Sequence, residues 1–250
     1  MIHREDRGPV TVLRIDHGKV GALDTDALGM LMVRLDEVES IDAKAVVLTG
    51  TGSSFSAGLD LKRILDGGGP YVRTLLAAIR RATARLFTFP LPVVAAVNGH
   101  AIAGGCVLAC ACDYRVVAEG GAKIGFPAFR VRIPFPSIGM EVLRYTAPLA
   151  ELEEVVYGGK LYSPAEAREL GLVNEVAPPD RLLQRAWDVA ERLARSQPLT
   201  FRLNKSRERE PVVELAARDP AREEEIDRAW SAPEAFAAIR AHLEAVARRG

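Results

Sequence analysis

The stretch "VVAAVNGHAIAGGCVLACACD" (Val93–Asp113) decides how the rest of the chain is interpreted. It opens with a short apolar run, which is typical of a strand buried on both faces of a sheet. Glycine and alanine follow, and such small side chains let a ligand approach the backbone closely. An earlier stretch, "VVLTGTGSSFSAGLDLK" (Val46–Lys62), shows the same order of strand and small-residue loop. Backbone N–H groups are the predicted ligand contacts, although each loop alone is equally typical of a tight turn without a ligand.

Length and composition exclude several classes of protein. The 250 residues fit one full-sized domain with a substantial core. Lys plus Arg and Asp plus Glu each number 33, so the chain lacks a basic excess and nucleic acid is not an expected partner. The cysteines, Cys106, Cys110 and Cys112, lie in one apolar run, which indicates a reducing compartment without a disulfide framework. We expect a cytoplasmic protein outside the membrane, because the sequence shows neither a signal peptide nor a run of ~20 apolar residues.

The pattern of apolar residues predicts an α/β fold with a helical C-terminal part. Strands are predicted at "PVTVLRID", "AKAVVLTG" and "VVAAVNG", and a helix capped by Asp24 or Thr25 is predicted between the first two. A second helix is predicted from Tyr71 to about Phe87, and "SPAEARELG" has the capping-box pattern of a third. From Asp180 onward the pattern is helical only. Prolines separate these last helices in the prediction, namely Pro198, Pro211, Pro220 and Pro233.

Five segments, in this order along the chain, resemble the crotonase superfamily, also called the enoyl-CoA hydratase/isomerase family. They are "VGALDTDAL", "FSAGLDLK", "NGHAIAGGCVLACACDYRV", "LYSPAEARELGLVNEV" and "FRLNKS", and they span nearly the whole chain. The resemblance implies a crotonase (ClpP/crotonase-like) fold, a spiral of ββα units with a C-terminal helical trimerisation region. It implies a spiral core with the acyl-CoA site in residues 1–190 and a helical oligomerisation region in residues 191–250. A homotrimer or a homohexamer is therefore expected.

The resemblance also implies a ligand and the groups that bind it. In this family an acyl-CoA thioester places its carbonyl oxygen between two backbone N–H groups, one from each loop. These donors fall on Leu59 and Gly104, and Gly104 begins a predicted helix whose N-terminal partial positive charge faces the same oxygen. No cofactor and no metal are expected beyond the CoA of the thioester itself. The implied ligand shell consists of Val20, Ala22, Ala57, Asp60, Leu61, Lys62 and Ile102.

Three cations are candidates for contact with the CoA phosphates. Lys62 and Arg63 follow the first loop directly, and Lys205 lies in the C-terminal region. The resemblance implies that such a late lysine acts from a neighbouring subunit. The alternative is that all three are ordinary solvated charges.

The proton-transfer residues of the family's hydratases are absent from the sequence. Hydration uses two glutamates, and their positions fall on Val107 and Ala128. A third carboxylate position, used by relatives that isomerise dienes or displace halide, falls on Pro136. No Asp or Glu lies between Glu119 and Glu141. We therefore expect oxyanion-hole chemistry other than standard hydration, such as decarboxylation, isomerisation or thioester hydrolysis, or else an acyl-CoA-binding protein without catalysis.

Other polar residues have both a functional and a structural interpretation. Glu141 is either an acid or base turned toward the acyl pocket or, the favoured reading, a surface or salt-bridged residue. Arg130 and Arg132 either recognise a carboxylate on the acyl group or are surface charges. His100 is expected to pack rather than to catalyse, and Asp113 to accept structural hydrogen bonds. Structural roles are also expected for Cys106 and Cys110 in their helix and for the turn residues Ser53, Ser54 and Ser56.

Overall fold

The structure is a computed structural model, and it describes residues 1–128 and 132–248. Its strands are β1 (Ile2–Arg7), β2 (Val10–Ile15), β3 (Ala22–Leu23), β4 (Ala45–Gly50), β5 (Ser54–Ser56), β6 (Gly58–Leu59), β7 (Val93–Val97), β8 (His100–Ile102), β9 (Tyr114–Ala118), β10 (Ile124–Gly125), β11 (Leu161–Tyr162) and β12 (Glu175–Ala177). Its helices are α1 (Thr25–Glu39), α2 (Leu61–Phe87), α3 (Gly104–Ala111), α4 (Ser137–Thr146), α5 (Leu152–Tyr157), α6 (Pro164–Glu169), α7 (Leu182–Ala194), α8 (Pro198–Ala217), α9 (Pro220–Trp230) and α10 (Pro233–Ala247).

Two main sheets organise the chain. The larger has the order β1-β2-β4-β7-β9-β12, and the smaller has the order β11-β10-β8-β5. All neighbours in the larger sheet are parallel except the antiparallel pair β1 and β2. One unit repeats along the chain: a strand of the larger sheet, a strand of the smaller sheet and a helix, as in β4–β5–α2, β7–β8–α3 and β9–β10–α4. This repeat is the spiral of ββα units that the resemblance implies.

The larger sheet is covered on both faces, which explains the continuous apolar runs of its central strands. Every residue of β4 and β7 is buried. Side chains alternate across a strand, so each strand sends one set of residues to each face. Leu48 and Val93 belong to the cluster that includes α1, α2 and α3. Val47 and Val94 belong to the opposite cluster, which contains the buried residues of α7.

Two of the predicted helix starts agree with the structure. The carboxylate of Asp24 accepts a hydrogen bond from the N–H of Ala27 at 2.8 Å, so Asp24 is the cap of α1. Ser163 and Glu166 form the predicted capping box of α6. Gly171, with a φ of 71°, follows the end of this helix. The local capping chemistry therefore determines where these helices begin and end.

The predicted start of α2 was wrong. The helix begins at Leu61 rather than at Tyr71, because the Asp60 carboxylate accepts hydrogen bonds from the N–H groups of Lys62 and Arg63 at 3.0 Å each. Gly68 interrupts the helix with a φ of 60° and a ψ of −161°, a backbone conformation available mainly to glycine. The helical segment before this kink therefore starts within the first small-residue loop.

Three further expectations are corrected. Pro211 does not separate two helices but lies inside α8, because residues on both sides of it pack against the core, including Arg209 and Ala216. Tertiary packing there outweighs the lost backbone donor. Ser54 and Ser56 belong to strand β5 rather than to a turn. The charged N-terminus, left without a predicted element, forms the edge strand β1, in which Ile2 is buried.

The helices after residue 190 pack on the core of their own chain. Helix α8 contacts α4, and helices α9 and α10 both contact α2. Arg80 of α2 forms ion pairs with Glu223 and Asp227 of α9. Within residues 1–128 and 132–248, no helix combines the length and the apolar character needed to cross a membrane.

Candidate functional site

The two small-residue loops are in direct backbone contact. Gly58 has a φ of 88°. A Cβ atom built on Gly58 would lie 2.8 Å from the carbonyl oxygen of Ile102 and 3.0 Å from the backbone nitrogen of Gly104. No side chain fits in that space, so glycine at this position allows the first loop to reach the second.

This contact brings together the two backbone donors predicted from the sequence. The N–H of Asp60 donates to the carbonyl oxygen of Leu23 at 2.9 Å. Consecutive amides of a strand point in opposite directions, so the N–H of Leu59 faces away from β3. Gly104 is the first residue of α3, where an N–H group has no carbonyl partner within its helix. A Cβ atom built on Gly104 would lie 3.7 Å from the nitrogen of Leu59, so the two donors are neighbours.

Ala103 holds an unusual conformation directly before the second donor. Its φ is 49° and its ψ is −116°, and it is the N-cap of α3. Non-glycine residues rarely adopt positive φ, and such strain is concentrated at functional sites. The strained turn fixes the direction in which the first amides of α3 point. This strain is not evident from the sequence, because alanine there resembles any other small residue of the loop.

Ion pairs stabilise the first loop. The Asp24 carboxylate, which is almost fully buried, pairs with Arg63 of α2 and with the Nε2 atom of His17, the latter at 2.7 Å. Burial raises the pKa of Asp24, but the hydrogen bonds from Ala27, His17 and Arg63 outweigh burial and hold the pKa below its usual value. Because Asp24 caps α1 and Arg63 lies in α2, this pair ties together the starts of the two helices beside Leu59.

An apolar cavity of about 110 Å³ lies against the two donors. Leu59 and Gly104 are part of its wall, and so are Val107, Ala128 and Pro136, the positions predicted to correspond to the family's carboxylates. None of the described residues of the wall is an aspartate or a glutamate. The remaining wall residues are Ala57, Leu61, Ile79, Thr83, Ile102, Ala103, Pro127, Ile133, Pro134, Phe135, Ile138, Gly139, Trp230 and His242.

Three polar side chains of this wall were not identified from the sequence. Thr83 lies in α2, Trp230 ends α9, and His242 lies in α10. The indole N–H of Trp230 donates to the carbonyl oxygen of Pro134 at 2.8 Å and thereby ties α9 to the opposite wall. No short motif connects residues so far apart in sequence, so only the packing of α9 and α10 against α2 reveals them. The cavity is thus completed by residues beyond 190, outside the predicted boundary of the core that holds the site.

The predicted ligand shell divides into wall residues and residues outside the cavity. Ala57, Leu61 and Ile102 line the cavity. Asp60 has a structural role as the cap of α2. Val20 and Lys62 are exposed, and Ala22 forms part of β3, which pairs with β6 at the first donor. The contact of Val20, Ala22, Asp60 and Lys62 with a ligand stays a prediction.

Two of the three predicted phosphate-binding cations are engaged elsewhere. Lys205 is not an exposed cation: its side chain is 4% exposed, and its ammonium group donates to the Asp113 carboxylate at 2.7 Å and to the carbonyl oxygen of Leu91 at 3.2 Å. Arg209 also pairs with Asp113, at 3.0 Å. Arg63 is paired with Asp24 and Asp26. Hydrophobic packing of α8 buries Lys205 within its own subunit, a position that the sequence pattern did not indicate.

Asp113 accepts structural hydrogen bonds, as predicted. Besides pairing with the two cations, the Asp113 carboxylate accepts a hydrogen bond from the N–H of Val93 at 2.7 Å. Burial lowers the pKa of Lys205 to about 8, more strongly than the neighbouring Asp113 carboxylate raises it. The ionic group connects α8 to the start of β7 and the end of α3, and none of its described members belongs to the cavity wall.

The remaining candidates among the described residues lie outside the apolar cavity. Glu141 contributes to a neighbouring groove and approaches Arg144 at 3.8 Å, which agrees with the salt-bridged interpretation. Arg132 is exposed in the same groove, and its φ is 54°. Arg130 lies outside the described residues. The Nδ1 atom of His100 accepts the N–H of Lys123 at 3.1 Å, so His100 has a structural role.

The cysteines are buried in and after α3. All three are free. Burial raises the pKa of the Cys106 thiol well above its ordinary value and the pKa of Cys112 to about 12. The pKa of Cys110 is lowered by the hydrogen bond with Cys106. The complete burial of both thiols agrees with the structural role that was predicted for Cys106 and Cys110.

Comparison with known proteins identifies the family. The family model described as enoyl-CoA hydratase/isomerase matches residues 6–227. A Thermus thermophilus protein named "Putative enoyl-CoA hydratase" is 35% identical over 205 residues, 80% of each chain. The short-chain-enoyl-CoA hydratase of Clostridium acetobutylicum is 30% identical over 204 residues, which are 80% of this chain and 78% of the hydratase. Human mitochondrial delta3-delta2-enoyl-CoA isomerase, at 24% identity, shares the fold with a TM-score of 0.95 over 99% of this chain and 98% of that one. The chain therefore belongs to the enoyl-CoA hydratase/isomerase family.

Proposed function

We propose that the protein binds an acyl-CoA thioester and stabilises negative charge on its carbonyl oxygen. One observation carries the proposal: the backbone N–H groups of Leu59 and Gly104 are neighbours at the edge of an apolar cavity. In this arrangement the thioester oxygen accepts both N–H groups and the acyl group enters the cavity. A donor of this kind contributes on the order of 3 kcal/mol to stabilising a developing oxyanion. The first amides of α3 add the partial positive charge of a helix N-terminus.

The chemistry that suits this site is anion stabilisation without the hydratase carboxylates. Adding water to an enoyl thioester requires one group to remove a proton from water and another to protonate the α-carbon. The described wall residues offer no carboxylate for either step, and the sequence of residues 129–131 contains none. In decarboxylation, by contrast, the electrons of the breaking C–C bond pass to the thioester oxygen, where the two N–H groups hold the charge. The proposed reaction uses no cofactor other than the CoA that the substrate carries.

The binding proposal is tested with a matched pair of ligands. Butyryl-CoA carries the thioester oxygen, and S-butyl-CoA, a thioether, lacks it. Two hydrogen bonds with a net contribution of about 1 kcal/mol each predict roughly 30-fold tighter binding of the thioester. Isothermal titration calorimetry gives both dissociation constants, and free CoA serves as the reference for the nucleotide part. Equal affinity for thioester and thioether would refute an oxyanion hole at Leu59 and Gly104.

His242 favours an active enzyme over a non-catalytic acyl-CoA-binding protein. It is the one titratable side chain among the described residues of the wall. In an isomerisation, a base removes one proton from the acyl chain, the enolate oxygen is held by the two N–H groups, and a proton returns at another carbon. Turnover of enoyl-, malonyl- and β-ketoacyl-CoA is to be compared between the unchanged protein and His242→Gln, with binding of butyryl-CoA as the control. Tight binding without turnover of any thioester selects the non-catalytic alternative, and rapid hydration of crotonyl-CoA refutes the argument from missing carboxylates.

The assembly and the location of the protein remain proposals. We propose a homotrimer or a homohexamer, with residues 191–250 contributing to the contacts between subunits. Exposed leucines on α8, among them Leu199 and Leu203, support this proposal. A cytoplasmic location is supported by the free cysteines of the chain.

A further inference from the structure

Thr83 is the fully buried polar side chain of the cavity wall. It lies in the second half of α2, and its side chain has no exposed surface. Its hydroxyl has no hydrogen-bond partner in the protein. A threonine in a helix commonly bonds the carbonyl oxygen one turn earlier, and here that bond is absent. Leaving a buried hydroxyl unpaired is unfavourable, so such a group usually has a hydrogen-bond partner. For Thr83 that partner has to come from outside the described protein atoms.

The other polar groups near the cavity already have assigned partners or roles. The Trp230 indole N–H is bonded to Pro134. The N–H groups of Leu59 and Gly104 serve the thioester oxygen in the proposed function. The remaining described wall residues are apolar except His242, which the proposed function treats as the candidate base, and Ile79 lies one turn from Thr83 on the same helix. Because Thr83 is part of the cavity wall, an acyl group that fills the cavity lies against the residue that carries this unpaired hydroxyl.

We infer that Thr83 is a specificity-determining residue that bonds an oxygen substituent on the acyl group. The inferred substrate class is a short acyl thioester carrying a hydroxyl or keto group, and this inference rests on the proposed function. Hydrophobic pockets discriminate weakly against an added hydroxyl, whereas a site with an unpaired buried donor strongly favours the ligand that pairs it. A valine side chain at this position would offer no hydrogen bond and would suit only an acyl group without an oxygen substituent.

The size of the cavity limits the length of this acyl group. An engineered apolar cavity of ~150 Å³ holds one benzene molecule. The cavity of about 110 Å³ is smaller. It therefore accommodates an acyl group of roughly four to six carbon and oxygen atoms beyond the thioester. The four-carbon thioesters are the appropriate probes.

The test compares butyryl-CoA with 3-hydroxybutyryl-CoA, 4-hydroxybutyryl-CoA and acetoacetyl-CoA. Their dissociation constants are measured for the unchanged protein, for Thr83→Val, which keeps the shape without the hydroxyl, and for Thr83→Ser, which keeps the hydroxyl. We expect Thr83→Val to weaken binding of at least one oxygenated ligand by roughly 5-fold, the equivalent of one hydrogen bond of about 1 kcal/mol, while butyryl-CoA binding is unchanged or tighter. Thr83→Ser should retain most of the preference.

The outcomes separate this inference from the proposed function. If Thr83→Val changes the affinities of all four ligands by the same factor, the hydroxyl has only a structural role or binds water, and the inference is overturned. In that case binding of butyryl-CoA still supports the proposed function. If the unchanged protein binds none of the four thioesters, both proposals fail. Thermal unfolding of each variant verifies that the affinities refer to folded protein.

Discussion

Single residues set the geometry of the two backbone donors. Gly58 permits the loops to touch, and Ala103 turns the chain so that Gly104 begins α3 with a free N–H. Neither residue supplies a functional side chain. Removing a methyl group at Ala103 or adding one at Gly104 therefore changes the site.

Ala103→Gly is expected to stabilise the protein. Alanine at a φ of 49° and a ψ of −116° is strained, by about 1–3 kcal/mol, and glycine adopts this conformation freely. The greater flexibility of glycine in the unfolded chain removes about 0.5–1 kcal/mol of that gain. We expect the free energy of unfolding in urea to rise by roughly 1 kcal/mol. Ala101→Gly, in the regular strand β8, is the control and should lower it, and a loss of stability in Ala103→Gly would show that the turn is not strained.

Gly104→Ala is expected to impair binding without unfolding the protein. The added Cβ would meet Leu23 Cδ1 at 3.5 Å and the nitrogen of Leu59 at 3.7 Å, which are ordinary contacts, but it would stand beside both donors. We expect butyryl-CoA affinity to fall by at least about 5-fold, the value of one hydrogen bond of about 1 kcal/mol, with little change in unfolding free energy. Gly105→Ala is the contrasting variant, because its Cβ would lie 2.2 Å from the carbonyl oxygen of Ser56 and should destabilise the fold. Unchanged affinity in Gly104→Ala would argue against a ligand between the two amides.

Among the elements, α8 is held to the spiral by a buried ionic group. Asp113 accepts hydrogen bonds from Lys205 and Val93 and pairs with Arg209, so one carboxylate balances two buried cations. Arg209 also donates to the carbonyl oxygens of Phe87 and Ala111, at the ends of α2 and α3. Loss of Asp113 therefore leaves two cations without their anion, whereas loss of one cation leaves the other ion pair intact.

Asp113→Asn should destabilise the protein far more than Lys205→Met. Removing the carboxylate leaves two buried cations unbalanced, and the expected loss is on the order of 3–5 kcal/mol. Removing Lys205 leaves the pair of Asp113 and Arg209 intact, so the expected loss is below about 2 kcal/mol. Equilibrium unfolding in urea at pH 7 measures both variants. Equal losses would mean that the group acts through packing rather than through charge balance.

The same element gives the protein a pH-dependent stability. Burial lowers the pKa of Lys205 to about 8, whereas the unfolded chain keeps the ordinary value of 10.5. Between these values the unfolded state binds more protons than the folded state, so the unfolding free energy rises with pH and reaches its full gain only above the unfolded pKa. From pH 8 to pH 10 we expect a gain of about 2 kcal/mol in the unchanged protein relative to Lys205→Met. If the two proteins show the same pH dependence over this range, Lys205 does not titrate there.

At the scale of the whole molecule, the C-terminal helices have two surfaces. Trp230 and His242 close the cavity on the inner side. On the outer side, Leu199 and Leu203 of α8 are 48% and 55% exposed, four residues apart and therefore on one face of the helix. Exposed apolar side chains in a row indicate a contact surface more strongly than isolated ones.

The oligomer is expected to depend on this leucine face. Native mass spectrometry should find three or six copies of the 27.1 kDa chain. Leu199→Glu combined with Leu203→Glu should shift the protein toward the monomer, because two charges would be buried in the contact. Leu149→Glu is the control, since Leu149 is 81% exposed and lies in the turn between α4 and α5, outside α8. A monomeric unchanged protein, or an assembly that tolerates both glutamates, would contradict the predicted role of residues 191–250.

The family and the spiral fold were predictable from the sequence because local signals carry them. Runs of apolar residues in β4 and β7, the cap at Asp24 and the capping box at Ser163 each act over a few residues and were identified correctly. The start of α2 and the continuation of α8 through Pro211 were predicted wrongly. The start of α2 was missed because its cap, Asp60, lies inside the first small-residue loop. Helix α8 continues through Pro211 because its packing against the core outweighs the local effect of proline.

The sequence by itself determined the two strand-and-loop repeats, and it predicted the two backbone donors and the apolar residues at the family's carboxylate positions. Tertiary structure alone decided which side chains surround those donors. Thr83, Trp230 and His242 meet in one wall only because α9 and α10 fold back onto α2, and Lys205 leaves the surface only because α8 packs against the core. A backbone donor depends on local chain geometry, which nearby residues specify. The wall of a cavity depends on packing between distant segments, for which no local pattern exists.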